Sequence, residues 1–260
     1  ARSNLAMGLP MAFQSSIISL GVILMQFATN GMGTAAIAAY SAAQKIDGVA
    51  VEPLRSLGLT MSTYAGQNYG AKEYGRIRTG VKQCCTMAIG LSLVLGVVMY
   101  GGGRLLASIF VGNEPEILDM AHQFLRVHGT LYSILALLFV YRYTLQGLGS
   151  AMIPTIAGIM ELVMRTFTAF LLVPRLEFFG ASIGTPLSWL GALLPVAVAW
   201  LRTDPKLRAA AEEEGKKQSK KGSCYPRAAR AAKQHNWKLF LTRWEQLKIC
   251  HWIDEDLTLY

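Results

Sequence analysis

SNLAMGLPMAFQSSIISLGVILMQFATNGMGTAAIAAYSAAQ, residues 3–44, contains no Asp, Glu, Lys or Arg. A helix that crosses a hydrocarbon core of ~30 Å needs ~20 mostly apolar residues. This run holds two such lengths on either side of TNGMGT at 29–34, where asparagine and glycine suit a turn. Residues 83–103 and 178–201 are free of charge as well. Each run is continuously apolar rather than a roughly ten-residue alternation of apolar and polar positions, which predicts spanning helices instead of a barrel. A secretory signal is a single short apolar core, so the repeated runs point to a polytopic, all-α membrane protein.

Charge is spread unevenly along the 260 residues. Residues 1–202 carry 21 charged side chains and residues 203–260 carry 20. The first part is therefore about one-tenth charged and the second about one-third, against ~25% in a soluble domain. The change near Arg202 separates a membrane part, 1–202, from a basic tail, 203–260. Six transmembrane helices are expected in the first part, over about 5–28, 35–65, 83–100, 117–145, 152–173 and 180–201. The second is long for one crossing and is expected to tilt, kink or protrude. In the tail, AAAEEEGKKQSKKGS reads as solvated and flexible. HNWKLFLTRWEQLK places Trp237, Phe240, Leu241, Trp244 and Leu247 at helical spacing among Lys238, Arg243 and Lys248. That pattern suits either an amphipathic helix over 236–250 on an anionic membrane surface or a poorly ordered tail.

The basic residues also set an orientation. The connection at 66–82 holds Lys72, Arg76, Arg78 and Lys82 against Glu73 alone, the next loop has only Arg104, and the region after Arg202 is strongly basic. Lys/Arg-rich loops stay in the cytoplasm, so both ends of the six-helix unit are expected on the cytoplasmic side of the inner (plasma) membrane. Topology and anionic lipid account for the net charge of +9, and no nucleic-acid partner is expected.

Catalytic chemistry finds little foothold. There is no H-E-x-x-H, no acid-rich metal cluster and no nucleophile-base pair within the expected spans, so neither an enzyme nor a metal site is expected. Cys84, Cys85, Cys224 and Cys250 follow neither zinc spacing nor a disulfide framework. His122 and His128 stand six apart and do not share a helix face as metal ligands would.

The ionisable residues inside the spans are the candidates for function. AAQKIDGVAVEPLRSLG at 42–58 carries Lys45, Asp47, Glu52 and Arg55, and such groups within a bilayer usually face protein or water. On a helix Lys45, Glu52 and Arg55 fall within about 80° of one another, whereas Asp47 points about 160° from Lys45 and needs a different partner or an interface. Pro53 frees the carbonyl of Val49 and tends to kink the helix beside Glu52. Glu52, Lys45, Arg55, Asp47 and Pro53 thus form either an ion-coupling or gating element or a neutralised packing network. Glu161 and Arg165, four apart, are expected to pair with each other, and Arg142 is expected to snorkel to the interface. Gln14, Ser15 and Gln26 on the first helix, with Tyr132, Glu161 and Arg165, are candidate lining of a central cavity. Small and hydroxyl residues serve close helix packing equally well.

GLP at 8–10 opening the first helix, Pro53 in the second, GQNYGA at 66–71 ahead of the basic loop, and LQGLGSAMIPT at 145–155 resemble the multidrug and toxic compound extrusion (MATE) family. The resemblance covers about 1–202 and implies one lobe of a fold with twelve helices in two six-helix lobes. Because the chain begins at Ala1 rather than Met and continues into a tail, it reads as the C-terminal lobe, with an N-terminal six-helix lobe expected as its partner. The resemblance implies a secondary active multidrug efflux transporter set in the lipid bilayer, exchanging small amphipathic, often cationic, compounds for H+ or Na+ without a cofactor. Some branches place acids in the first and fourth helices of that lobe. Here 5–28 has none and the fourth helix has only Asp119, at its entrance. The alternative is an orphaned or truncated lobe, a membrane-embedded partner without transport of its own.

Overall fold

The computed structural model describes residues 2–221, with side chains for 8–215. The amphipathic helix expected over 236–250 lies outside the described residues. The chain forms two compact units, Ala1–Ala211 and Glu212–Tyr260. The elements are α1 (Arg2–Asn30), α2 (Thr34–Gly70), α3 (Tyr74–Val111), α4 (Pro115–Gly147), α5 (Met152–Phe167), a π-helical turn (Thr168–Leu172) and α6 (Val173–Lys221). No strand occurs among the described residues.

Local chemistry explains where the helices stop. Pro115 starts α4 in the first turn, where its missing N–H costs nothing. At the other end of α4 the Ser150 amide donates to the Leu145 carbonyl at 3.0 Å and the Gly149 amide to the Gln146 carbonyl at 2.9 Å, a Schellman closure. Gly149 takes φ 85°, which a side chain would resist.

Four stretches are long and apolar enough to cross a membrane: Gly8–Asn30, Tyr74–Val111, Pro115–Gly147 and Met152–Gly215. α2, where a span over 35–65 is expected, is one helix through Pro53 but falls outside this set. Its four charged residues lower its hydropathy. The fifth and sixth expected spans lie within the single stretch Met152–Gly215, which is non-helical at Glu177 (φ 49°, ψ −132°). Thr168 meets Gly184, Arg165 meets Ser188 and Met164 meets Gly191, so the segments before and after Glu177 run antiparallel. A Cβ on Gly180 would come 2.7 Å from the Leu172 carbonyl oxygen, and a bare glycine lets the chain fold back this closely.

The boundary read at Arg202 shifts. α6 does not end near 201 but continues to Lys221, so residues 203–221 extend a helix rather than open a flexible tail. Alanine, glutamate and lysine are strong helix formers, and Arg78 of α3 grips Asp204 with two hydrogen bonds of 2.6 and 2.9 Å.

α4 packs against α2 and α3, and α1 against α5. In lipid there is no hydrophobic drive between helices, so close backbone approach through small residues takes its place. Gly96 of α3 faces Gly129 of α4, and a Cβ on Gly147 would come within 2.2 Å of the Ser62 carbonyl oxygen of α2. Gly147→Leu is therefore expected to force α2 and α4 apart at a cost of at least ~1–3 kcal/mol. A thermal unfolding scan in detergent reads this as a midpoint lowered by roughly 4 °C or more; an unchanged midpoint would show that the contact is dispensable.

Candidate functional site

A cavity of about 1050 Å³ opens between α1, α2, α4, α5 and α6. Gln14, Ser15 and Gln26 line it from α1, Lys45, Asp47, Glu52 and Arg55 from α2, and Glu161 and Arg165 from α5. The helices that sequence reasoning treated one at a time thus bring these side chains to one space. Two candidates do not line it. Pro53 stays within α2, and Tyr132, expected on the wall, is wholly buried behind it.

Tyr132 instead supports Asp47. Its hydroxyl donates to Asp47 Oδ1 at 2.7 Å, and His128 Nδ1 meets the same oxygen at 2.9 Å. His128 and Tyr132 are four apart on α4 and therefore share a face. The Asp47 side chain is 15% exposed, so its carboxylate joins the cavity to a buried polar pair. Phe124 stacks on the His128 ring at 3.9 Å between centroids, and Trp189, itself on the cavity wall, meets that ring edge-on at 5.2 Å. His128 Nε2 is buried without a hydrogen-bond partner, an arrangement that costs about 1–3 kcal/mol. Asp47 and His128 form a hydrogen-bonded pair with two sites at which a proton can reside.

Glu52 is placed differently. It pairs with Arg55 one turn on, Nη2 to Oε1 at 2.9 Å, and both side chains are more than half exposed. Lys45, on the same expected stripe, is exposed and makes no ion pair within 4.0 Å among the described residues. The three-charge stripe is therefore one ion pair plus one lone lysine.

The charges on α4 and α5 correct two expectations. Glu161 does not pair with Arg165; it accepts from Nη2 of Arg142 across the α4–α5 contact. Arg142 is accordingly buried at 4% exposure and does not snorkel to an interface. Arg165 turns to α6 and α1, where Nε donates to Ser188 Oγ and Nη1 to the Ile18 carbonyl, each at 3.3 Å. Gln14 accepts from Gln146 Nε2 at 3.2 Å and so links α1 to α4, while the Ser15 hydroxyl satisfies the Met11 carbonyl of its own helix.

His128, Arg142 and Trp189 are the wall and support residues that sequence reasoning missed. Asp47's isolation from the α2 stripe was a signal that a partner must come from elsewhere, but nothing local named α4. Asp119, the one acid expected in the fourth helix, pairs with Arg104 of α3, with both side chains exposed. Among the described residues no three His, Cys, Asp or Glu side chains gather in a way that could hold a metal ion. Cys84 and Cys85 are both free thiols.

A family model described as MatE matches residues 10–171. The probable multidrug resistance protein YoeA of Bacillus subtilis strain 168 is 27% identical over 197 residues, covering 73% of this chain and 42% of that protein. The probable multidrug resistance protein YpnP of the same strain is 24% identical over 146 residues, or 56% of this chain and 33% of that one. Among solved structures, an outward-facing multidrug resistance MATE family transporter of the MOP superfamily is similar with a TM-score of 0.69 and 19% identity, over 76% of this chain and 44% of that one. The Vibrio cholerae MATE transporter VcmN in its bent form gives 0.68 and 20%, over 79% and 46%. At such identities the solved structures speak for the fold. The chain spans less than half the length of each of these relatives.

Proposed function

This chain belongs to the MatE family, whose model matches more than half of it, and on that premise we propose that it is the C-terminal six-helix lobe of a secondary multidrug efflux transporter. The family is one of membrane transporters rather than enzymes. In this reading the chain crosses the inner (plasma) membrane six times, with both ends of the six-helix unit cytoplasmic. It acts with a complementary N-terminal six-helix lobe and exchanges small amphipathic compounds, cations among them, for H+ or Na+. No cofactor beyond the coupling ion is called for, and the lipid bilayer is its solvent.

One observation carries the reading: a cavity of about 1050 Å³, lined by charged and amide side chains from four of its five helices, lies inside an otherwise apolar helical protein. An ionisable side chain within a membrane is expensive and marks a substrate or ion pathway by default. Of the two cavity carboxylates on α2, Asp47 is the better carrier of the coupling ion. Its hydrogen bonds tie it to α4, so a change in its charge is felt by a second helix. Glu52 shares its charge with Arg55 in an exposed pair, which is worth ~0–1 kcal/mol, and can serve at the cavity mouth.

The test is transport by the complete transporter in proteoliposomes, with a pH or a sodium gradient imposed alone. Efflux of amphipathic dyes under one gradient and none without a gradient is expected. Correctly inserted protein that moves no dye under either gradient would overturn the reading. A second reading is a lobe that is membrane-embedded but has no transport of its own. That reading gains if joining the complementary lobe restores no efflux.

A further inference from the structure

The cavity wall carries more cations than its carboxylates engage. Asp47 is held by His128 and Tyr132, Glu52 by Arg55, and Glu161 by Arg142. Arg165 and Lys45 also line the cavity, and neither has a carboxylate within ion-pair distance among the described residues. Lys45 is exposed, so solvent can answer its charge. Arg165 is 5% exposed and has two long hydrogen bonds to neutral acceptors. Arg142, also buried, gives Nη2 to Glu161 but has no acceptor for its Nε hydrogen. Two buried guanidiniums therefore stand near a single carboxylate, and one of them has an unanswered donor.

Resting on the transporter reading, we propose that this part of the cavity binds the oxyanion group, a carboxylate or phosphate, of an amphipathic substrate. A buried guanidinium without its own counter-charge is costly, and its planar fork fits the paired oxygens of a carboxylate or phosphate. The ligand's oxyanion accepts from the remaining guanidinium hydrogens of Arg165, with the buried Arg142 adding positive charge behind it. Lys45 adds positive potential at the exposed wall. Ile18, Val22, Leu135 and Phe139 line the same cavity and receive the apolar body. The substrate class is thus an amphipathic acid or zwitterion, rather than one recognised by positive charge alone.

Binding to the full chain, purified in a neutral maltoside detergent, tests this without any gradient. The probes are dansyl-undecanoate, its matched-length trimethylammonium analogue and the neutral alcohol. The carboxylate is expected to bind about tenfold tighter than the cation. Arg165→Gln is expected to remove that advantage while sparing the weak binding of the alcohol, and Arg165→Lys to keep part of it. Lys45→Gln, at an exposed site that leaves the buried network intact, is expected to reduce the preference by a smaller factor, and it decides the matter if the Arg165 variants do not fold. Equal or tighter binding of the cation, or a preference untouched by Arg165→Gln and Lys45→Gln, overturns the proposal. Displacement of dansyl-undecanoate by phosphatidylglycerol identifies a lipid headgroup as the source of the oxyanion, and no displacement identifies a free amphiphile. A transporter that exports cations without any carboxylate preference sinks this inference alone, and one that binds selectively but moves nothing sinks the transport reading alone.

Discussion

Asp47→Asn is expected to reduce proton-driven export by the complete transporter to the rate of protein-free vesicles. Asparagine keeps the shape of the side chain and an oxygen that can accept from Tyr132, whose hydroxyl sits at 2.7 Å. It removes the charge and the protonation site that the His128 contact at 2.9 Å addresses. Both α4 partners of Asp47, His128 Nδ1 and the Tyr132 hydroxyl, meet the same carboxylate oxygen, so the α2–α4 link rests on that one group. In the variant the carboxylate that links α2 to α4 is gone. His128→Gln is expected to act in the same direction. Glu52→Gln is expected to lower export less, because Glu52 is exposed and its charge already rests on Arg55. Export of a fluorescent cation under an imposed pH gradient, with membrane insertion checked in parallel, reads all three. Wild-type export by Asp47→Asn across a pH series would return Asp47 to the packing class.

Glu161→Gln is the second large effect, and it acts on stability. Glu161 is 3% exposed, and its carboxylate is the partner of a guanidinium that is itself buried. Removing one member of a buried ion pair leaves an uncompensated charge and costs ~3–5 kcal/mol. The loss falls on Arg142, since Arg165 one turn along α5 turns instead to Ser188 and the Ile18 carbonyl. A fall of roughly 10 °C in the unfolding midpoint in detergent is expected for a chain of this size. Arg142→Met in the same chain is expected to recover part of the loss, because apolar replacement of a buried pair is often neutral. A midpoint for Glu161→Gln within about a degree of wild type would show that water or another group already carries the charge.

The all-helical, apolar character of the protein was legible without any structure. The charge-free runs at 3–44 and 83–103 fall on α1, the start of α2 and the middle of α3 without marking where those helices end, whereas the Gly/Pro punctuation at 145–155 coincides with the Schellman closure of α4. GQNYGA at 66–71 pointed to the family that the MatE match then established. The end of α6 was harder to read, because residues 203–221 are charged enough to look like a solvated tail yet rich in helix formers. The site was legible as a set of residues but not as a set of contacts. Helical spacing set Asp47 apart from Lys45, Glu52 and Arg55, and the structure brings all four to one cavity while giving Asp47 partners on α4. The same spacing, applied to Glu161 and Arg165, named the wrong partner, because an i,i+4 pair on an exposed helix is worth only ~0.2–0.5 kcal/mol and yields to any better-placed cation.

Sequence alone determined that this protein is a bundle of apolar helices with a few costly charges set into them, since hydropathy and helix propensity are local and survive without knowledge of neighbours. Tertiary structure alone decided which groups meet: Asp47 with His128 and Tyr132, Glu161 with Arg142, and Arg165 with Ser188 and the Ile18 carbonyl. Those pairings depend on the rotation and depth of one helix against another, which glycine contacts such as Gly147 against Ser62 set to within a few ångströms. No periodicity along a single helix carries that information.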